Sequence, residues 1–222
     1  MKRLRYIVVE GPIGVGKSTL TRLLSQRLDA RTVFEVVEEN PFLPLFYKDR
    51  EKHAFQTQIF FLLSRFKQQQ SLFQQDLFNQ VTVSDYLFAK DRIFASLTLG
   101  EAELGLYDRV FEELTPRVTK PDVVIYLQAN IDVLLGRIKK RAREFETDFD
   151  AGYLRDLCVA YNEYFGRYTE TPLLVANTDD VNFPGDMAQV NRLLETISTH
   201  TEGVRHFEGA SDSLGADPHP AG

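Results

Sequence analysis

A glycine-rich segment near the N-terminus constrains the fold more than any other stretch of the chain. Residues 11–18 read GPIGVGKS and match the pattern G-x-x-x-x-G-K-[ST]. The β-branched run 7–9 precedes this segment and leucines at helical spacing follow it, which predicts a strand, a tight loop and a helix. Such a loop turns its backbone N–H groups toward phosphate oxygens, and the start of the helix adds a positive dipole end. The segment therefore predicts a binding site for a nucleoside triphosphate.

Two side chains of this loop have predicted chemical roles. Lys17 is expected to reach the β- and γ-phosphates, which also makes it a catalytic candidate, and Ser18 to place its hydroxyl on Mg²⁺. ATP and Mg²⁺ are the expected cofactors. The predicted nucleotide-binding residues are Gly11, Pro12, Ile13, Gly14, Val15, Gly16, Lys17, Ser18 and Thr19.

Strand-like and helical patterns alternate along the chain, which predicts a three-layer α/β fold with a five-stranded parallel sheet flanked by helices. The predicted strands are residues 5–11, 31–37, 81–86, 121–129 and 172–179. Helices are predicted over residues 16–29, 45–80 (two helices), 87–98, 106–115, 131–143, 151–169 and 185–198. Residues 1–200 are expected to form one domain. The Gly-, Ser-, Asp- and Pro-containing segment 201–222 is expected to be a disordered tail.

Composition narrows the classes of partner. The chain has 222 residues and a formal net charge of −6, which argues against nucleic-acid binding. No apolar stretch approaches the roughly 20 residues that a membrane span needs. The single cysteine, Cys158, excludes an intrachain disulfide and favours the cytoplasm, and it is expected to pack as a small apolar residue.

Three classes of nucleotide-dependent protein could use such a loop. A GTPase would carry an Asn-Lys-x-Asp segment, whereas residues 177–180 read NTDD and lack the lysine. A mechanical or regulatory ATPase would need further domains, for which about 200 ordered residues leave no room. A small-molecule kinase needs a second pocket, a general base and a basic lid, and candidates for all three are present. The pattern favours an enzyme of this third class.

Four further segments resemble the deoxynucleoside kinase family, most closely its bacterial deoxyadenosine/deoxyguanosine kinase branch. They are FEVVEENPF (34–42), FQTQIFFLLSR (55–65), SDYLFAKDRIFAS (84–96) and RIKKRAREFE (137–146). The resemblance covers about residues 4–198 and implies that the three-layer α/β fold is a P-loop kinase fold. It implies transfer of the ATP γ-phosphoryl group to the 5′-hydroxyl of a purine deoxynucleoside.

Glu35 is the predicted general base. It interrupts an apolar run at the end of a predicted strand, where a carboxylate is costly unless it is used. A carboxylate that accepts the hydroxyl proton assists phosphorylation. The family has its base in a Glu-Pro-Val motif, which reads Glu-Val-Val here. Glu39 is the alternative.

The nucleoside pocket is predicted from spacing and from the resemblance together. Tyr47, Gln58 and Arg65 would share one face of a continuous helix, and a glutamine amide can pair with a purine edge. The resemblance implies that Gln58 and Arg65 read the base and that Phe94 stacks on it. It also implies that Tyr47 and Glu146 grip the 3′-hydroxyl.

A basic lid is predicted over about residues 137–150. Arg137 and Arg141 are spaced i, i+4, and Arg143 follows in another direction. Guanidinium groups over the triphosphate would neutralise charge on the transferring group, so all three are catalytic candidates.

The segment 84–86 departs from the family pattern. It reads Ser-Asp-Tyr, where many members have an acidic residue, an arginine and a hydroxyl residue. Asp85 is expected to bind Mg²⁺ with Ser18 or to contact the substrate. The missing arginine is expected to be replaced by Arg92 or by the lid, and Asp91 is a further candidate for the base pocket.

Several alternatives stay open. A nucleoside monophosphate kinase of the thymidylate kinase type would carry the same loop, as would a nucleotide-binding regulatory subunit without turnover. The choice between adenine and guanine is not decided by sequence. The family usually forms dimers, and the phenylalanine-rich stretch 59–78 is compatible with a homodimer.

Overall fold

A single parallel sheet organises the computed structural model, which describes residues 4–74, 81–143, 146, 149–179 and 181–208. Its strand order is β2-β3-β1-β4-β5-β6, and every pair of neighbours is parallel. The strands are β1 (Tyr6–Glu10), β2 (Arg31–Val33), β3 (Thr82–Ser84), β4 (Val123–Gln128), β5 (Leu173–Asn177) and β6 (Val204–Phe207).

Helices cover both faces of this sheet. All of β1 and nearly all of β4 is buried, as expected for strands enclosed by helical layers. The helices are α1 (Lys17–Leu28), α2 (Leu43–Lys48), α3 (Arg50–Gln74), α4 (Lys90–Thr98), α5 (Glu101–Leu114), α6 (Ile131–Arg141), α7 (Ala151–Gly166) and α8 (Met187–Thr199). The three-layer α/β architecture is confirmed. No helix among the described residues is long and apolar enough to cross a membrane.

A second apolar cluster holds α2, α3, α4 and α5 beside the main core. Phe46, Leu62 and Tyr107 are among its buried members, and Phe88 stacks on Phe111 with ring centroids 5.4 Å apart. The two helices predicted over 45–80 correspond to α2 and α3, although residues 75–80 lie outside the described part. This cluster places α3 and α4 opposite the loop that follows β1.

The second strand is shorter than predicted. It ends at Val33, not at residue 37, because the chain leaves the sheet there. The carbonyl of Phe34 accepts a hydrogen bond from Gln68 (3.1 Å), and the N–H of Glu35 donates to Asp85 Oδ1 (2.7 Å). Side chains thus form the hydrogen bonds of these two backbone groups, and Glu35 lies outside the sheet.

The sheet has six strands, so the prediction of five was wrong. β6 extends β5 in parallel register, from Leu173 opposite Val204 to Ala176 opposite Phe207. The disordered tail predicted for 201–222 was therefore wrong over 204–207, while residues 209–222 lie outside the described part. Three of the four β6 side chains are exposed, so the strand lacks the apolar pattern by which strands are recognised.

Candidate active site

The loop between β1 and α1 has the geometry of a phosphate-binding turn. Gly14 (φ +84°) and Gly16 (φ +106°) have left-handed backbone conformations that favour glycine. A Cβ at Gly14 would lie 2.9 Å from the carbonyl oxygen of Leu134, so α6 packs directly on the loop. Gly16 precedes α1 without a side-chain cap, which leaves the first N–H groups of the helix available to an anion.

Glu10 anchors the start of this loop, and sequence reasoning missed it. Its buried carboxylate accepts hydrogen bonds from the N–H groups of Gly11 (2.8 Å) and Leu87 (2.7 Å) and from the Tyr161 hydroxyl (3.1 Å). Three donors satisfy the buried charge. Glu10 therefore ties the loop to the segment after β3 and to α7.

Lys17 is held by its own loop. Its ammonium donates to the carbonyl oxygens of Gly11 (2.6 Å) and Pro12 (3.1 Å). Desolvation within the loop, reinforced by the charge of Lys90, lowers the pKa of Lys17 to about 8. A bound triphosphate would oppose this shift because it brings negative charge to the ammonium.

One cavity of about 550 Å³ lies at the carboxyl edge of the sheet and joins the loop to α3 and α4. Ile13 to Thr19 line it, whereas Gly11 and Pro12 do not. The cavity is large enough for a small-molecule ligand. Its wall includes seven of the residues predicted to contact the acceptor: Glu35, Tyr47, Gln58, Arg65, Asp85, Phe94 and Glu146.

The Glu35 carboxylate lies in this cavity between two cations from different helices. Arg65 on α3 pairs with its Oε1, and Lys90 on α4 donates to its Oε2 at 2.7 Å. Burial alone would raise the pKa of this carboxyl, but the charges of Arg65 and Lys90 hold it well below its usual range. The geometry gives Glu35 an ionised carboxylate of fixed orientation beside the loop.

Ser18 and Asp85 form the oxygen pair predicted for a metal ion. The Ser18 hydroxyl donates to Asp85 Oδ2 at 2.5 Å, and both side chains line the cavity. Burial raises the pKa of Asp85, and the hydrogen bond from Ser18 opposes that shift. Hydroxyl and carboxylate oxygens suit Mg²⁺, which completes its coordination with phosphate oxygens and water. The residues present therefore fit this ion.

The far end of the cavity has the features predicted for a base pocket. The Gln58 amide donates to Thr98 Oγ1 (3.2 Å), and the partly exposed ring of Phe94 packs edge-on against Tyr161 (6.1 Å). Asp91 is fully buried and does not line the cavity, but it pairs with Arg65. Arg65 thus bridges Asp91 to Glu35.

Tyr47 and Glu146 lie together on another wall. Burial raises the pKa of the Tyr47 phenol above its usual range, and the charge of Glu146 adds to this shift. Glu146 is 6% exposed and bonds to Arg141 through both of its oxygens (2.5 and 3.1 Å). The pair predicted for the sugar hydroxyl is therefore within one site.

The three lid arginines line the cavity but bind protein groups in this structure. Arg137 donates to the carbonyl oxygen of Val15 (3.1 Å) and to both oxygens of Thr178. Arg141 binds Glu146, and Arg143 pairs with Glu38 at 2.7 Å. α6 carries Arg137 and Arg141, whereas residues 144, 145, 147 and 148 of the predicted lid lie outside the described part.

Two predictions about charged side chains were not supported. Arg92 does not line the cavity; its side chain is 59% exposed and pairs with Asp108 at 2.9 Å. Glu39 is exposed and outside the cavity wall. Cys158 packs against the core as predicted.

Comparison with known proteins decides the family. A family model described as "Deoxynucleoside kinase" matches residues 7–202. The chain belongs to the deoxynucleoside kinase family. The deoxyguanosine kinase of Bacillus subtilis strain 168 is 38% identical over 162 residues, which cover 72% of this chain and 78% of that protein. The deoxyadenosine/deoxycytidine kinase of the same strain is 33% identical over 201 residues, which cover 87% and 91%.

Solved structures agree with this assignment. The structure of deoxyadenosine kinase from M. mycoides with bound dATP has a TM-score of 0.76 at 26% identity, and the match covers 87% of this chain and 100% of that one. The predicted P-loop kinase fold is confirmed. This deoxynucleoside kinase is an ATP-dependent phosphotransferase, and Mg²⁺ accompanies its ATP.

Proposed function

We propose that this deoxynucleoside kinase transfers the γ-phosphoryl group of ATP to the 5′-hydroxyl of deoxyadenosine or deoxyguanosine. The observation that carries the proposal is the continuity of one cavity from the phosphate loop, past Glu35, to Gln58 and Phe94. The amide and the aromatic ring suit a purine edge and a purine face. Relatives named deoxyguanosine kinase and deoxyadenosine kinase support the purine class.

Glu35 is the proposed acceptor of the hydroxyl proton. Each carboxylate oxygen has two lone-pair sites, so its bonds to Arg65 and Lys90 leave capacity for the substrate hydroxyl. Because phosphoryl transfer passes through a loose transition state, a weakly basic carboxylate can orient the hydroxyl early and take its proton late. The low pKa of Glu35 is compatible with this role.

The other residues bind and enclose the substrates. Lys17 and the loop N–H groups hold the triphosphate, and Ser18 and Asp85 hold Mg²⁺, which neutralises phosphate charge when bound. Gln58 and Arg65 read the base, Phe94 stacks on it, and Tyr47 with Glu146 binds the 3′-hydroxyl. Arg137, Arg141 and Arg143 exchange their protein partners for phosphate oxygens when the triphosphate binds.

A substrate profile tests this function. With MgATP, deoxyadenosine or deoxyguanosine is expected to give a kcat/KM about a hundredfold above that of thymidine, since a pocket built for hydrogen bonds rejects mismatched bases. Coupled assays with the four natural deoxynucleosides and their monophosphates measure this ratio.

Three outcomes would contradict the proposal. Phosphorylation of monophosphates but not of nucleosides would indicate a monophosphate kinase. ATP binding without product in a single turnover would indicate a regulatory protein. Equal use of deoxycytidine would remove the restriction to purines, as the name of the second Bacillus relative already suggests for that protein.

We further propose that the enzyme is a cytoplasmic homodimer. Leu63 on α3 and Leu106 on α5 are 49% and 52% exposed, and these two helices pack on each other. Apolar side chains exposed on adjacent helices favour a contact with a second copy.

Light scattering is expected to give twice the chain mass of 25.5 kDa. Leu63→Glu combined with Leu106→Glu should shift the enzyme toward the monomer, because it places charge in the interface. Val159→Glu is the matched control, since Val159 is 52% exposed on α7. A monomeric mass for the unchanged enzyme would contradict the dimer.

A further inference from the structure

Lys90 is a buried cation to which sequence reasoning assigned no role. It is the first residue of α4, its side chain is 2% exposed, and it lines the cavity. Its ammonium donates to Glu35 Oε2 at 2.7 Å and lies 6.0 Å from the centre of the Phe94 ring. Within the described residues, Glu35 is the carboxylate that pairs with it.

The position is unfavourable for a positive charge. Burial removes the ammonium from water, and the N-terminal end of a helix disfavours a cation. An apolar side chain of similar length would occupy the same space without either cost. The direct compensation for this position is the ion pair with Glu35.

Arg65 and Lys90 differ in how they hold this carboxylate. Arg65 divides its guanidinium between Glu35 and the buried Asp91. Lys90 binds Glu35 through the other carboxylate oxygen and from the other helix. Cations on both oxygens fix the plane of the carboxylate and the direction of its remaining lone pairs.

The alternatives considered from the sequence do not reach this position. Arg92 pairs with Asp108 at the surface, and Arg141 and Arg143 bind Glu146 and Glu38. Asp85, which stands where many family members have an arginine, is acidic and bonds to Ser18.

We propose that Lys90 is a positioning residue for phosphoryl transfer, whose ammonium holds the Glu35 carboxylate in the orientation that receives the 5′-hydroxyl. This inference rests on the proposed function. The segment 84–86 lacks a cation, and Lys90 supplies one to Glu35 from the next helix, α4.

Steady-state kinetics of Lys90→Met test the role. We expect kcat to fall about tenfold to a hundredfold, because a misplaced catalytic group loses rate on that scale. KM for nucleoside and for MgATP should change by less than about threefold, because the proposed role of the ammonium is its bond to Glu35 and not a contact with either substrate. Lys90→Arg should recover most of the rate, and Arg92→Met is the matched control on the same helix. An unchanged kcat in Lys90→Met would overturn the proposal.

A double-mutant cycle separates positioning from a structural role. In a Glu35→Gln background, Lys90→Met should lower kcat by no more than about twofold, because Lys90 acts through the missing carboxylate. Additive losses would overturn the proposal. The number of ATP molecules bound per chain, measured by calorimetry, gives the folded fraction of each variant, and each kcat is divided by that fraction. If Lys90→Met does not fold, Lys90→Arg, which keeps the positive charge, is compared with Lys90→Gln, which removes it. Equal kcat values for these two variants would overturn the proposal.

The two proposals fail in different ways. Turnover of a deoxynucleoside by the unchanged enzyme together with an additive cycle would reject the role of Lys90 alone. Absence of turnover with every deoxynucleoside would reject the proposed function at the first measurement, and the positioning role with it.

Discussion

Replacing Glu35 by glutamine is expected to lower kcat by about 10²- to 10⁴-fold, the range for loss of a general base. Glutamine keeps the size of the side chain and one acceptor oxygen, but it cannot take the hydroxyl proton. Its amide group would also direct donors toward Lys90 or Arg65, which already donate to both carboxylate oxygens. Single-turnover formation of the nucleoside monophosphate measures the loss.

Glu39→Gln is the matched control for this experiment. Glu39 is only four residues away but exposed and outside the cavity wall, so its kcat should stay within about twofold. ATP should still bind to Glu35→Gln with unchanged stoichiometry, because the loop is intact. Retained activity in Glu35→Gln together with a loss in Glu39→Gln would reassign the base.

Arg65→Met is expected to lower the free energy of unfolding by about 3–5 kcal/mol, the cost of leaving a buried charge without its partner. Asp91 is fully buried and Arg65 is its charged partner among the described residues. Urea unfolding measures the loss. Arg92→Met removes an exposed ion pair and should cost no more than about 1 kcal/mol.

A second substitution tests the cause of this destabilisation. Adding Asp91→Asn to Arg65→Met removes the stranded charge and is expected to restore more than half of the lost free energy. No recovery, or a loss in Arg65→Met equal to that in Arg92→Met, would show that Asp91 does not depend on Arg65. The KM for the deoxynucleoside should be raised in Arg65→Met and equally in the double variant, because both lack the proposed contact between Arg65 and the base.

Local sequence patterns predicted the parts of the fold that depend on neighbouring residues. The phosphate loop was recognisable because its glycines, Lys17 and Ser18 occur together between an apolar strand and a leucine-spaced helix. The end of β2 could not be recognised in this way. The backbone hydrogen bonds of residues 34 and 35 are made with Gln68 and Asp85, which are distant in sequence. β6 was missed because it is held by main-chain hydrogen bonds to β5, and such bonds leave no pattern in the side chains.

The site shows the same division. Glu35, Gln58 and Phe94 could be named from spacing and family resemblance, and one cavity brings them together. The role of Arg65 between two carboxylates, and that of Lys90, depend on how α3 and α4 meet, which no local pattern contains. A signal for Lys90 did exist, since Lys90 and Phe94 are four residues apart on one helix face.

The sixth strand determines where this chain can be shortened. A protein ended at residue 200, where the last helical pattern stops, would expose the main-chain groups along one side of Leu173–Ala176, next to apolar side chains. Such a bare strand is a template for pairing between molecules and for aggregation. In the full chain β6 covers that border and presents Arg205 and His206 to solvent, which discourages further pairing. The strand Val204–Phe207 must therefore be retained, together with the polar character of these outward side chains.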